Sequence, residues 1–232
     1  AHPRYEVIQH IPLRTRRLLD VGCGAGLLGA TLKKEFKAME VTGIEMVDEA
    51  CRRAQRVLDR VLQGNIETMD LPFADGYFDS IVCADVLEHL VEPAAVLKKL
   101  ARCLAPDGVI VISLPNVQYY EVVSMLVSGA WTYMDAGILD STHLRFFTRQ
   151  TAEDMIREAA LEAAHIGPLN MQAPEKLPQN PDGSLSLHKL TLRNATDEDR
   201  EAFLVYQWVV LACHPGVDRL ERARQAYNRE HY

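Results

Sequence analysis

The chain has 232 residues, 48% hydrophobic and 25% charged, which gives one globular domain ample core material and excludes a disordered chain. Its formal net charge of −7 argues against a partner held mainly by its phosphates, which needs a basic face. No apolar run reaches the roughly 18 to 20 residues that span a bilayer, and Ala1-His2-Pro3-Arg4 lacks the apolar stretch of a secretion signal, so a cytoplasmic protein is expected.

From residue 16 to about residue 167, strand-like runs alternate with helix-like ones, the pattern of a parallel sheet covered on both faces. The first strand is predicted at Arg17–Val21, a helix over Leu27–Lys37, a second strand at Glu40–Glu45, and a helix capped by Asp48 and running to about Asp59. Val61–Gln63 and Phe78–Ala84 read as the third and fourth strands. A helix is predicted from about Pro93 to Leu104, where proline fits the first turn, then a turn at Pro106-Asp107-Gly108 and a fifth strand at Val109–Leu114. Residues 115–147 hold Tyr119, Tyr120, Trp131, Tyr133, Phe146 and Phe147, and read as a lid or substrate wall. Thr151 to Asp154 has a capping pattern for another helix, 168–186 reads as a long loop, and Leu204–Ala212 as the late strand. The domain is therefore expected over 1–213, with 115–147 as an insertion, and 214–232 as a charged C-terminal helix or tail. The five cysteines, Cys23, Cys51, Cys83, Cys103 and Cys213, sit mostly in apolar surroundings at scattered spacing, which points to core thiols and not to disulfides or a metal knuckle.

The strongest chemical signal is Leu18-Leu19-Asp20-Val21-Gly22-Cys23-Gly24-Ala25-Gly26, a strand that turns through three glycines into a helix. Glycines admit a ligand close to the backbone, and the helix start offers unpaired N–H groups. The spacing is GxGxG and not the GxGxxG of dinucleotide-binding folds, because position 27 is leucine.

Asp20 to Gly26 resembles the first motif of the class I S-adenosylmethionine-dependent methyltransferases. The resemblance implies that Gly22, Gly24 and Gly26 wrap the methionine part of the cofactor and that Asp20 helps orient its ammonium. Glu45 ends the second strand, where a carboxylate accepts two bonds from ribose hydroxyls. Gly64-Asn65-Ile66-Glu67 stands where the family usually has a Gly-Asp pair, so Asn65, followed by Ile66, replaces the carboxylate that meets the adenine amino group; its carbonyl still accepts that bond. Leu71 to Asp79 also resembles the family's approach to the fourth strand. The implied fold is α/β and Rossmann-like: a seven-stranded, mostly parallel sheet with helices on both faces and one late antiparallel strand.

Asp85-Val86-Leu87-Glu88-His89 follows the fourth strand, at the edge where open α/β sheets bind ligands. On a helical turn Asp85, Glu88 and His89 share a face, and Asp140-Ser141-Thr142-His143 adds a second histidine. In one reading His89 and His143, with Glu88, line an acceptor site as proton acceptors. In the other, Asp85, Glu88, His89 and His143 hold a divalent ion, Mg²⁺ or Mn²⁺, as in the metal-dependent methyltransferases of small-RNA 3′ ends, which this order resembles. A helix-start charge pair with a loop-anchoring histidine is the structural alternative. The stretch Asp140 to Thr148 also resembles bacterial methyltransferases associated with glycosyltransferases, and relatives of the ubiquinone-biosynthesis O-methyltransferases. That resemblance implies a saccharide or other small hydroxyl acceptor in preference to RNA, and the acidic charge agrees. A non-catalytic module that only binds S-adenosylmethionine needs no proton acceptor, so Glu88, His89 and His143 favour an enzyme.

Overall fold

The computed structural model describes residues 3–36 and 39–216; residues 217–232 of the charged segment read over 214–232, and Lys37, lie outside the described residues. A short helix α1 (Tyr5–Ile8) precedes β1 (Arg17–Val21), α2 (Leu27–Glu35), β2 (Glu40–Glu45), α3 (Asp48–Ala54), β3 (Arg60–Gln63) and β4 (Phe78–Ala84). A 3-10 turn at Leu87–His89, α4 (Pro93–Cys103), β5 (Leu104–Pro115), α5 (Tyr120–Val127), α6 (Arg149–Glu158) and β6 (Glu162–Met171) follow. The chain ends its described part with β7 (Leu185–Leu187), β8 (Leu190–Leu192), α7 (Asp197–Leu204) and β9 (Val205–Cys213).

Seven strands form one sheet in the order β3-β2-β1-β4-β5-β9-β6, with β9 antiparallel to both its neighbours and the other pairs parallel. This is the sheet the family resemblance implies; its edge strand β6 is not among the strands read from the residues. Successive side chains point to opposite faces of a strand, and the apolar runs sort accordingly. Leu19, Ile81, Cys83, Ile110, Ile112 and Val210 pack in one cluster with α4 and α6; Leu18, Val82, Val109, Val111, Val209 and Leu211 pack in another with α1 and α2. All five cysteines are buried and free. Helix α4 turns its Val96, Leu97 and Leu100 to the sheet, the stripe an amphipathic helix buries.

Several local boundaries differ from the sequence reading. Thr148, not Thr151, caps α6: its side chain accepts the Thr151 N–H while Thr151 Oγ1 accepts the Thr148 N–H, and Asp154 pairs instead with Arg157. Asp48 is the first residue of α3, after Val47, and Asp59 lies beyond the helix, accepting the Val41 N–H and the Lys33 ammonium. The expected loop over 168–186 is shorter, because β6 continues to Met171 along β9. Beyond it, Leu177, Leu185, Leu187, Phe203 and Leu204 form a small apolar cluster that also meets Tyr120 and Val123 of α5. Strand growth reverses direction between β1 and β4, so a crevice opens there at the carboxyl edge of the sheet, and it is here that the candidate site lies.

Candidate functional site

A cavity of about 240 Å³ occupies that crevice, lined by Gly22 after β1, Ile44, Glu45 and Met46 at the end of β2, Gly64 to Glu67 after β3, and Asp85, Val86, His89 and Leu90 after β4. Gly22, Gly24 and Gly26 all have positive φ, at 68°, 53° and 77°, which L side chains rarely adopt. A Cβ on Gly22 would meet Val86 Cγ2 at 2.7 Å, whereas one on Gly24 would project into open space. Gly24 is thus where the loop leaves room for a ligand.

Glu45 holds this loop. Its Oε2 accepts the Gly24 N–H at 2.8 Å, and its Oε1 accepts the N–H groups of Met46 at 2.9 Å and Val47 at 2.8 Å. A carboxylate has about four acceptor sites, so about one remains for a ribose hydroxyl, where the sequence reading expected two. Asp20 is 3% exposed and its Oδ2 has no hydrogen-bond partner among the described residues. Burial, then the charge of Glu45, push its carboxyl up to about 7, against the opposing pull of Arg4. A cationic ligand group beside it would relieve both penalties.

Asn65 Oδ1 accepts the Glu67 N–H at 2.8 Å, a turn closed by the side chain, and Ile66 is buried beside it.

A second cavity, also about 240 Å³, is lined by Asp85, Glu88, His89, Pro115, Gly137, Asp140, His143, Tyr206 and Gln207. Asp85 and His89 line both cavities. Glu88, His89 and His143 gather so that one ligand atom from each lies within 4.8 Å of the others. His143 sets its Nδ1 at 2.9 Å from the Ile138 carbonyl, which only accepts, so Nδ1 carries the proton and Nε2 keeps its lone pair. His89 Nδ1 faces Thr142 Oγ1 at 3.1 Å and the Thr142 carbonyl at 3.3 Å, and that hydroxyl donates to Asp140 Oδ1 at 2.6 Å. The same logic leaves the Nε2 of His89 as an acceptor. Glu88 is fully buried, and neither carboxylate oxygen has a hydrogen-bond partner among the described residues. Burial, then the nearby Asp85 charge, raise its carboxyl to about 8. A buried, unpaired carboxyl with two outward lone pairs on imidazole is a donor set that fits a divalent cation.

Asp85, expected with these three, is placed apart from them. It has φ of 56°, in the left-handed region, so it leaves the strand on a different course from the turn that carries Glu88 and His89. Its carboxylate takes Ser113 Oγ at 2.7 Å, Arg4 Nη1 at 2.6 Å and the side-chain amide of Gln207. Arg4, Ser113 and Gln207 were not singled out from the sequence. Gln207 left a trace, a polar residue inside the apolar run of the late strand; Arg4, remote in sequence from the glycine loop, left none.

A family model described as "Methyltransferase domain" matches residues 19–112. The chain is 29% identical over 163 residues to a ubiquinone biosynthesis O-methyltransferase of Neisseria meningitidis serogroup C, covering 67% of each chain. It is 28% identical over 153 residues to a malonyl-[acyl-carrier protein] O-methyltransferase of Geobacter sulfurreducens, covering 65% of this chain and 57% of the relative. Among solved structures, a SAM-dependent methyltransferase from Archaeoglobus fulgidus shares the fold, with a TM-score of 0.63 at 17% identity over 90% of this chain and 89% of that one. The chain is an S-adenosylmethionine-dependent methyltransferase with a Rossmann-like sheet.

Proposed function

We propose that this methyltransferase moves the methyl group of S-adenosylmethionine to a hydroxyl oxygen of a small acceptor, a saccharide or another metabolite, bound between Glu88, His89, His143 and Tyr206. The observation that carries this reading is the shared wall: His89 and Asp85 border both cavities, so a donor in one meets an acceptor in the other beside a histidine with a free lone pair. Asp20, Gly22, Gly24, Gly26, Glu45, Asn65 and Ile66 hold the cofactor in the first cavity. The two relatives named above are both O-methyltransferases, which favours oxygen as the methylated atom.

Methyl transfer is an in-line displacement at the sulfonium carbon, and the protein's part is positioning and removal of one proton. His89 and His143 each present Nε2 as the acceptor, their rings meeting edge to face at 4.7 Å. Glu88, His89 and His143 would hold a divalent ion, Mg²⁺ or Mn²⁺, which would supply polarisation of an acceptor oxygen. That same acid and histidine group favours a second reading, metal-dependent 2′-O-methylation at RNA 3′ ends, which the net charge of −7 opposes.

The test is native mass spectrometry of the purified protein before and after chelator, followed by transfer of labelled methyl to panels of saccharides, small hydroxylated metabolites and RNA 3′ ends. A carried-over cofactor mass with methylation of a small hydroxyl compound is the expected result. Transfer to nitrogen or carbon alone would overturn the oxygen assignment, and transfer to RNA alone would select the second reading.

A further inference from the structure

Asn65 is fixed in an unusual way for a side chain on a cavity wall. Its carbonyl oxygen is bound to the Glu67 N–H, and the turn that contains both residues is clasped to α4 at two points. The Glu67 carboxylate accepts the N–H groups of Val91 at 2.9 Å and Glu92 at 3.0 Å, at the start of that helix. Further along α4, the Lys99 ammonium donates to the carbonyls of Ile66, Glu67 at 3.3 Å and Met69 at 2.9 Å. A loop tied by one anion and one cation to the same helix has little freedom to release the Asn65 carbonyl. A planar amide whose oxygen is turned to its own chain presents its nitrogen on the other arm. The side chain therefore offers the cavity a hydrogen-bond donor.

We propose that Asn65 recognises the cofactor's base by donating its Nδ2–H to an acceptor atom on the six-membered-ring edge, N1 in adenine, and does not accept from the exocyclic amino group. This rests on the cofactor reading above and sharpens it. Ile44, Met46, Ile66 and Leu90 line the same cavity as Asn65 and supply the apolar surface that a flat heterocycle needs. A carboxylate at the same position would use one oxygen for the Glu67 N–H and turn the other, an acceptor, to the base. Asparagine reverses the sign of that contact. Adenine carries an amino donor at position six and an acceptor at N1, whereas 1-deazaadenine keeps the amino group and has C–H in place of N1. A donor at Asn65 finds its partner only on adenine; an acceptor finds the amino group on either base.

The experiment compares S-adenosylhomocysteine with its 1-deazaadenine analogue by calorimetry, in the wild type and in Asn65→Asp, which keeps an acceptor for the Glu67 N–H and so keeps the turn. The wild type is expected to bind the 1-deaza compound about 10- to 100-fold more weakly, the range for a donor left unpaired, and Asn65→Asp, which accepts from the amino group present in both, to lose most of that preference. A wild type that binds the two compounds equally, or an Asn65→Asp variant that keeps the wild-type preference, overturns the proposal while leaving the cofactor assignment intact. Failure of the wild type to bind S-adenosylhomocysteine at all overturns both.

Discussion

Glu45 Oε2 accepts the N–H of Gly24 at 2.8 Å, so the acid that ends β2 shapes the glycine loop after β1 as well as lining the first cavity. Glu45→Ala removes both contributions, whereas Glu45→Gln keeps one acceptor oxygen for the loop or the ligand. Calorimetry with S-adenosylhomocysteine is expected to show a loss of about 1 to 3 kcal/mol for the alanine variant and a smaller loss for glutamine. Gly24→Val is expected to abolish binding, since its side chain would enter the open space at a φ of 53°. Unchanged affinity in Glu45→Ala and Gly24→Val would remove these residues from the cofactor site.

Asp20 gives the site a pH dependence of definite sign. Its carboxyl is raised from 3.8 to about 7 by burial, then by Glu45, so below that pH the ligand-free protein holds a proton there. A carboxyl raised in the fold makes the folded state the better proton binder between pH 4 and 7, and the stability of the ligand-free protein therefore falls as pH rises through that window. An ammonium bound beside Asp20 favours its ionised form. Binding of S-adenosylhomocysteine is then expected to strengthen as pH rises toward 7.5 and to release close to one proton at pH 6, read from calorimetric enthalpies in buffers of different ionisation heat. Asp20→Asn should abolish the proton release; persistence of that release in the variant would place the titrating group elsewhere.

Six of the seven sheet strands, all but β6, were legible because their signals are local: apolar runs, glycines after β1, and turn residues between elements set each strand without reference to distant partners. The wall of the first cavity shares that property, since Gly22, Glu45 and Asn65 each end a strand or follow one within two residues. What the sequence left hidden depends on contacts across the fold. Spacing alone put Asp85 on one face with Glu88 and His89, but its left-handed backbone and its partners Arg4, Ser113 and Gln207 draw the carboxylate away, and those partners come from α1's lead-in, β5 and β9. Likewise α5 and α7 escaped notice. The apolar run of α5 buries only Val122 within the helix, so it lacks the period of an ordinary surface helix, and α7 is short and opens with Asp197, Glu198 and Asp199.

Asn116 shows how the second cavity is kept in shape. The residue is fully buried, and its Nδ2 donates to the carbonyls of Ala202 and Val205, each at 2.7 Å, while its Oδ1 accepts the Gln118 N–H at 3.0 Å. It thereby satisfies a carbonyl at the end of α7 just before β9 brings Tyr206 and Gln207 to the cavity wall. Asn116→Ala is expected to destabilise the protein by about 1 to 3 kcal/mol in denaturant unfolding, the cost of buried groups left unpaired. In the same variant KM for the acceptor should rise more than the Kd for S-adenosylhomocysteine. Equal changes in both would show that Asn116 serves the whole fold and not this wall.

His89 and His143 are expected to act on the acceptor and not on the cofactor, because each has its Nδ1 held by a carbonyl or hydroxyl and its Nε2 left as an acceptor. Replacing either with alanine should lower kcat by roughly 100-fold or more, the contribution of a positioned general base, while S-adenosylhomocysteine affinity stays near that of the wild type. Thr142→Val tests the orientation separately: it removes the hydroxyl that faces His89 and donates to Asp140, so it should lower kcat less than His89→Ala and leave the cofactor affinity unchanged. With a divalent ion held by Glu88, His89 and His143, chelation should abolish turnover, added Mn²⁺ or Mg²⁺ should restore it, and His143→Ala should need far more ion for half activity. Activity that survives chelation unchanged would remove the ion and leave His89 as the leading proton acceptor. Full activity in both histidine variants would return Glu88, His89 and His143 to a structural role, with the Glu88 carbonyl receiving the N–H groups of Leu144 and Arg145 as an anchor for the loop.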